Sequence, residues 1–296
     1  MNPWRGQVAL IRDRGMADEA GGVKQAVVQQ WITSALERIT GQGGQEAWKA
    51  LFRPSDRVAI KVNGLGGPRI ATSPRLALAI AQGLMDAGLE PKQILIWDRS
   101  GRELRDAGYT LREETGPLCF GTDKWGYEPA PRIHGSIGSC FSQILTRWAT
   151  ALVNVPVLKD HDLSGVSLAM KNLYGVIHNP NKYHDSGCSP YLADLLGSPE
   201  VQSKLRLIVC DGHRGQCQGG PAHVAKWVWP YRGLLVGMDP VALDAVGTKI
   251  LEERRREMGL PTLAEAGRPV VHIQAAQERG LGEGRLDAIR IHELGG

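Results

Sequence analysis

Five cysteines occur among the 296 residues, and no two of them stand as Cys-x-x-Cys. That absence removes the usual ligand spacing of iron–sulfur clusters and structural zinc knuckles, so no iron–sulfur cluster is expected. Cys119, Cys140, Cys188, Cys210 and Cys217 read instead as reduced, packed thiols. No run approaches the ~18 apolar residues of a membrane span, and the start Met1-Asn2-Pro3-Trp4-Arg5 lacks a charged segment followed by an apolar one. The expectation is a cytosolic protein, or an exported one whose signal was removed before this numbering begins. Charge of one sign is also scarce. With 35 Lys and Arg against 31 Asp and Glu the formal charge is +4, and no basic stripe interleaved with aromatics offers itself to nucleic acid. The one basic run, Arg254-Arg255-Arg256, follows Glu252-Glu253 and reads as a solvated helix face laced by i,i+3 and i,i+4 pairs.

What is present is a large apolar complement, 42% of the residues, broken by 37 glycines and 17 prolines that act as turn punctuation. A chain of this length buries a substantial core, either as one α/β unit over 1–296 or as two docked lobes of about 1–150 and 151–296. Five short apolar runs each close on a polar residue: Val58 to Asn63, Ile94 to Asp98, Ala151 to Asn154, Leu207 to Asp211 and Gly233 to Asp239. Runs apolar on both faces suit strands sandwiched between helices. Helical patterns lie between them, over about Lys24 to Ile39, from Ser73-Pro74 to Gly88, and from Asp239-Pro240 onward, where Asp239 reads as a cap. The fold predicted is a doubly wound α/β architecture, a largely parallel sheet with helices on both faces. Residues 101–147 show no period and read as an excursion over a sheet edge.

In an open parallel sheet, ligands bind beyond the carboxyl ends of the strands. The polar terminators therefore mark the edge to search, with Lys61, Asn63 and Asp211 as candidates. The segment from Leu152 to Gly175 carries the densest chemistry. Its strand leads through Pro156 to Lys159-Asp160-His161-Asp162, and spacing at Val166, Ala169, Met170 and Leu173 predicts a helix starting near Ser164, with Ser167 and Lys171 on another face. Free N–H groups at that helix start, beside Lys159, His161, Lys171 and Asn172, would make a positive field for a carboxylate or phosphate. Downstream, His178 and His184 could join His161 as ligands of a divalent metal, though no compact metal motif is present. Two glycine-rich loops complete the inventory. Gly64-Leu-Gly-Gly-Pro-Arg69 lacks the third glycine of a dinucleotide fingerprint but could cradle an anion with backbone N–H groups. Asp211-Gly-His213 to Pro221 reads as a flap, with Asp211 and His213 as acid–base groups.

The series Asn154-Val-Pro-Val-Leu-Lys159-x-His161, Gly165-Val-Ser-x-Ala-x-Lys171-Asn172-x-x-Gly175 and Asp239-Pro-Val-Ala-Leu-Asp244-Ala-Val resembles the domain of unknown function 362 family, as do Val58 to Asn63 and Asp211-Gly to Gly220-Pro221. The likeness spans about residue 56 to the C-terminus and implies no particular reaction. Some members of that family carry a ferredoxin-like segment or export signal; this sequence shows neither. A looser similarity to lactate racemases would make Lys171 or Lys159 the anchor of a nickel–pincer cofactor and His161 a base, an isomerase reading. The leading expectation is an enzyme acting on a small anionic substrate, as a metal-assisted hydrolase or lyase, with His161, Lys159, Lys171 and Asp211 catalytic and Lys61, Asn63, Ser167, Asn172 and His213 binding. Its rivals are a non-catalytic carrier of a small molecule or metal, and a scaffold using the aromatic stretch Lys226 to Tyr231.

Overall fold

A computed structural model describes residues 2–17 and 22–295. Its centre is an eleven-stranded sheet: β1 (Gln7–Arg12), β2 (Val58–Lys61), β3 (Ile94–Trp97), β4 (Leu118–Cys119), β5 (Ala151–Asn154), β6 (Val157–His161), β7 (Gly165–Ser167), β8 (Leu205–Gln216), β9 (Val228–Trp229), β10 (Gly233–Gly237) and β11 (Arg290–Gly295). The main path runs β11-β1-β10-β8-β5-β2-β3-β4, with β9 and β6 pairing to β8 and β7 to β6. From β8 to β4 every step is parallel; β10 enters antiparallel between β8 and β1, and β11 lies parallel to β1. The mixed α/β class with a large, mostly parallel sheet is as the sequence implies.

Strand periodicity assigns each face. Val58, Ile60, Ile94, Ile96, Val153, Leu207 and Val209 pack in one core with α1 (Gln25–Thr40) and α2 (Pro74–Asp86). Ala59, Leu95, Leu152, Ile208 and Cys210 face the opposite core, against α3 (Ala169–Asn172), α4 (Pro240–Glu257) and α5 (Val271–Glu278). Helix starts follow the sequence signals: Asp239 accepts from the N–H groups of Val241 and Ala242, both at 3.0 Å, ahead of Pro240 at the first turn of α4. No helix among the described residues is long and apolar enough to cross a membrane.

Several local expectations are corrected. The predicted helix from Ser164 is instead strand β7, which turns back on β6 in the register Lys159↔Ser167, and α3 begins only at Ala169. Gly165, at φ +77, allows that turn: a Cβ there would sit 2.6 Å from the Arg268 carbonyl. The spacing of Val166, Ala169, Met170 and Leu173 mimicked a helical stripe because strand and helix bury into the same core. The predicted flap from Asp211 is, as far as Gln216, a continuation of β8. Residues 101–147 add β4 to the sheet edge and a separate hairpin, Arg132–His134 with Ile137–Ser139. Arg255 is no solvated side chain; it is buried and donates to the carbonyls of Pro261 and Cys217. The aromatic stretch packs against the core rather than standing free, with Trp229 closing over Gly215. All five cysteines are free thiols, four of them buried.

Candidate active site

The face toward α3 carries a polar end to its strands. Lys61 follows Ala59, and Asn154 follows Leu152, on that face; the two are register neighbours where β2 meets β5. Burying an ammonium requires partners. Lys61 lies 2.6 Å from Asp98 Oδ1 and donates to the Val62 carbonyl. Asp98, just past β3, also accepts from Gly64 N–H at 2.6 Å and Arg99 N–H at 2.7 Å. Gly175 leaves room for this pair, since a Cβ there would meet Lys61 Cε at 2.3 Å.

Around the pair runs a chain of buried amides. Asn172 Nδ2 donates to Asn154 Oδ1 at 2.7 Å, Asn63 Nδ2 donates to Asn172 Oδ1 at 3.2 Å, and Asn154 Nδ2 donates to the Ala169 carbonyl at 2.8 Å. Buried amides that satisfy one another hold a single geometry. This chain locks α3 against the ends of β2 and β5.

Above it opens a cavity of about 300 Å³, lined by Lys61, Asn63, Asn172, Lys171, His161 and Ser167 among others. Lys171 is the chemically distinct group. Its Nζ lies 3.1 Å from His184 Nε2 and 4.4 Å above the Tyr174 ring, and no carboxylate oxygen among the described residues stands within 4.0 Å. Burial pulls this amine down to about 8. Burial, then the nearby Lys171 charge, also keeps His184 and His161 neutral, the latter down to about 2. The two imidazoles stack with centroids 5.8 Å apart. His161 Nδ1 lies within reach of both the Leu163 N–H, at 3.1 Å, and Asp162 Oδ1, at 2.9 Å. One nitrogen of a neutral ring cannot accept from the first and donate to the second. The Asp162 side chain is 62% exposed and free to turn to water, so the fixed amide sets the tautomer, with the proton on Nε2. Glu103 lines the same cavity; burial and Asp98 push its carboxyl upward.

Four candidates are not brought here. Lys159 lies behind the wall: its fully buried Nζ donates to the carbonyls of Leu65 (2.8 Å), Pro221 (3.3 Å) and Ile70 (3.4 Å) and to Asn63 Oδ1 (3.3 Å). Burial draws it down to about 7 against the pull of Asp98 and Asp160. The glycine-rich loop at residue 64 thus offers carbonyls to a cation, while its Gly64 N–H is taken by Asp98. Asp211 and His213 sit on the other face of the sheet, by a separate depression of about 120 Å³ at the start of α2, where Ser73 N–H donates to Asp211 Oδ2 at 2.8 Å. Residue parity accounts for this, because Asp211 shares its face with Val209. His178 is exposed and stands edge-on to Tyr127, away from His161 and His184. Among the described residues no three His, Cys, Asp or Glu side chains are grouped to hold a metal ion.

The start of α3 is also not a free anion site. Asp244 of α4, wholly buried, accepts from the N–H groups of Ala169 (2.7 Å) and Met170 (3.0 Å). Sequence reasoning missed Asp244, Arg99, Glu103 and Tyr174 as parts of the site. Asp98 was visible as a strand terminator, and the register Lys61↔Trp97 places it one residue beyond Lys61.

The fold and its polar crevice define a mixed α/β protein with a ligand-sized site at the carboxyl ends of parallel strands. The chain matches the family described as Domain of unknown function (DUF362) over residues 58–249, and it belongs to that family. No curated protein matches it. A crystal structure of a Thermotoga maritima protein, determined by the Northeast Structural Genomics Consortium, is similar with a TM-score of 0.44 and 8% identity. That similarity covers 80% of this chain, which spans only 60% of the Thermotoga maritima chain.

Proposed function

We propose that the protein is an enzyme that takes a small anionic substrate into the crevice and moves a proton there. The observation that carries this reading is Lys171: a buried amine inside a cavity, with no carboxylate oxygen among the described residues within 4.0 Å and a neutral imidazole at hydrogen-bond distance. Lys61 contributes little free charge because Asp98 neutralises it. Arg99, also on the cavity wall, is paired with Glu103 at 3.7 Å and can turn to the anion. Ser167 and His161 supply hydroxyl and ring N–H donors to orient it. His184, held neutral, accepts a proton from Lys171 or from the substrate. Hydrolysis or elimination of a small acid suits this equipment.

The test is thermal stability in a series of small anions, such as phosphate, oxalate and malonate. Saturating anion raises the melting temperature of the wild type by about 5 °C or more, as expected for a ligand at roughly a hundredfold its Kd. Lys171→Ala melts cooperatively and loses that rise. A cooperative variant that keeps the full shift defeats the reading.

A further inference from the structure

Taking the crevice as the substrate site, as proposed above, we infer that Lys171 forms a covalent imine there, so that the substrate carries an aldehyde or ketone carbonyl beside its anionic group. Three lysines are buried together in this region, and their surroundings divide them. Lys61 is paired with Asp98 at 2.6 Å and donates to the Val62 carbonyl. Lys159 is shut behind the cavity wall, its Nζ occupied by four oxygens. Among the described residues Lys171 has neither a carboxylate nor a carbonyl at hydrogen-bond distance: its Nζ lies 3.1 Å from His184 Nε2, an atom that can take a proton from it, and the Tyr174 ring below fixes the direction of that Nζ. Of Lys159 and Lys171, it is the one that lines the cavity. A lysine desolvated in this way is a nucleophile at neutral pH. With the amine drawn from 10.5 to about 8, the uncharged fraction at pH 7 is about 300-fold larger than for an ordinary lysine.

The step balances without any redox partner. His184 takes a proton from the Lys171 ammonium; the freed lone pair bonds to the carbonyl carbon as its π bond breaks toward oxygen, and a proton passes from the attacking nitrogen to that oxygen to give a carbinolamine. Its hydroxyl then leaves as water, with the proton returned by His184, as the C=N bond forms. Arg99 lies on the same wall to meet the carboxylate of a 2-oxo acid.

The experiment traps the imine in the intact protein. Glyoxylate, pyruvate and uncharged acetaldehyde are each incubated briefly with cyanoborohydride at pH 7, and the modified residue is mapped by peptide mass spectrometry. Hydride reduction leaves a secondary amine whose added mass is that of the probe less one oxygen. Lys171 is expected to be modified at least tenfold faster than any exposed lysine, with a rate that levels above about pH 8 while surface labelling continues to climb. His184→Gln slows that labelling several-fold, and Lys171→Arg abolishes it. Labelling confined to exposed lysines, or a Lys171 rate no higher than theirs, overturns the inference. Anion-dependent stabilisation in the same preparation keeps the two readings apart. If it persists without an adduct, the imine fails and the anion site stands; if both are missing, the crevice reading fails as well.

Discussion

At the scale of single residues, the site depends on one missing side chain. Lys61 and Asp98 can approach to 2.6 Å under the α3 segment only because residue 175 is glycine, and a methyl group there would overlap Lys61 Cε at 2.3 Å. The crowding atoms belong to a side chain already fixed by two partners, so the overlap is not easily relieved. Gly175→Ala is expected to cost about 1–3 kcal/mol of unfolding free energy, the usual penalty of overpacking, measured by urea denaturation. A loss under a few tenths would mean that Lys61 has room to move. The same scale explains what was readable in advance. Lys61, Asn63, His161 and Ser167 meet at one cavity because each lies at or just past a strand end, while Lys171 and Asn172 enter on α3 and His184 on the segment that follows it. Asp211 and His213 also stood near an expected strand end, yet face elsewhere, and the parity of Val209-Cys-Asp211 already carried that information. Lys159 shares its parity with His161 and is kept out by a different cause, the Leu65, Ile70 and Pro221 carbonyls and Asn63 Oδ1 that hold its amine behind the wall.

Among the elements, α3 is the instructive case. Four residues make a helix too short to stand by its own hydrogen bonds. It is held by Asp244 at one end and the asparagine chain at the other. Burial pushes the Asp244 carboxyl from 3.8 up to about 7, opposed by the two N–H donors and reinforced by Asp239. His272 Nε2, 4.0 Å away, stays neutral, pulled down to about 3 by burial and then by Lys171. An acid with a raised folded pKa binds its proton more tightly in the folded state, so its contribution is complete below about pH 4 and is lost as pH climbs through 7. Asp244→Asn has no such proton. The stability of wild type relative to this variant should therefore fall by on the order of 3 kcal/mol between pH 4 and pH 7.5; urea titrations at several pH values would show it, and a flat difference would mean that Asp244 does not ionise in that window. None of this was legible from spacing, since Asp244 is 74 and 75 residues from its two partners.

Across the whole molecule, the sheet joins strands from both ends of the chain. The central strands were readable as apolar runs because helices cover both their faces. β1 and β11 were not, since β11 is largely exposed, with His292 its one buried residue among those described, and gains its meaning only from pairing with β1, 283 residues away. Removing Arg290–Gly295 bares the backbone edge of β1. The truncated protein should melt several degrees lower, at roughly 2–4 °C per kcal/mol lost, and associate more readily through that edge, which scanning calorimetry with light scattering would register. An unchanged transition would show that β11 adds little to the sheet. The amide chain has a different kind of reach. Asn63, Asn154 and Asn172 come from three separate parts of the sequence, and each satisfies its neighbour's buried donor or acceptor. Losing one strands the others, so over evolutionary time these positions should be inherited as a set, changing together in descendants or not at all.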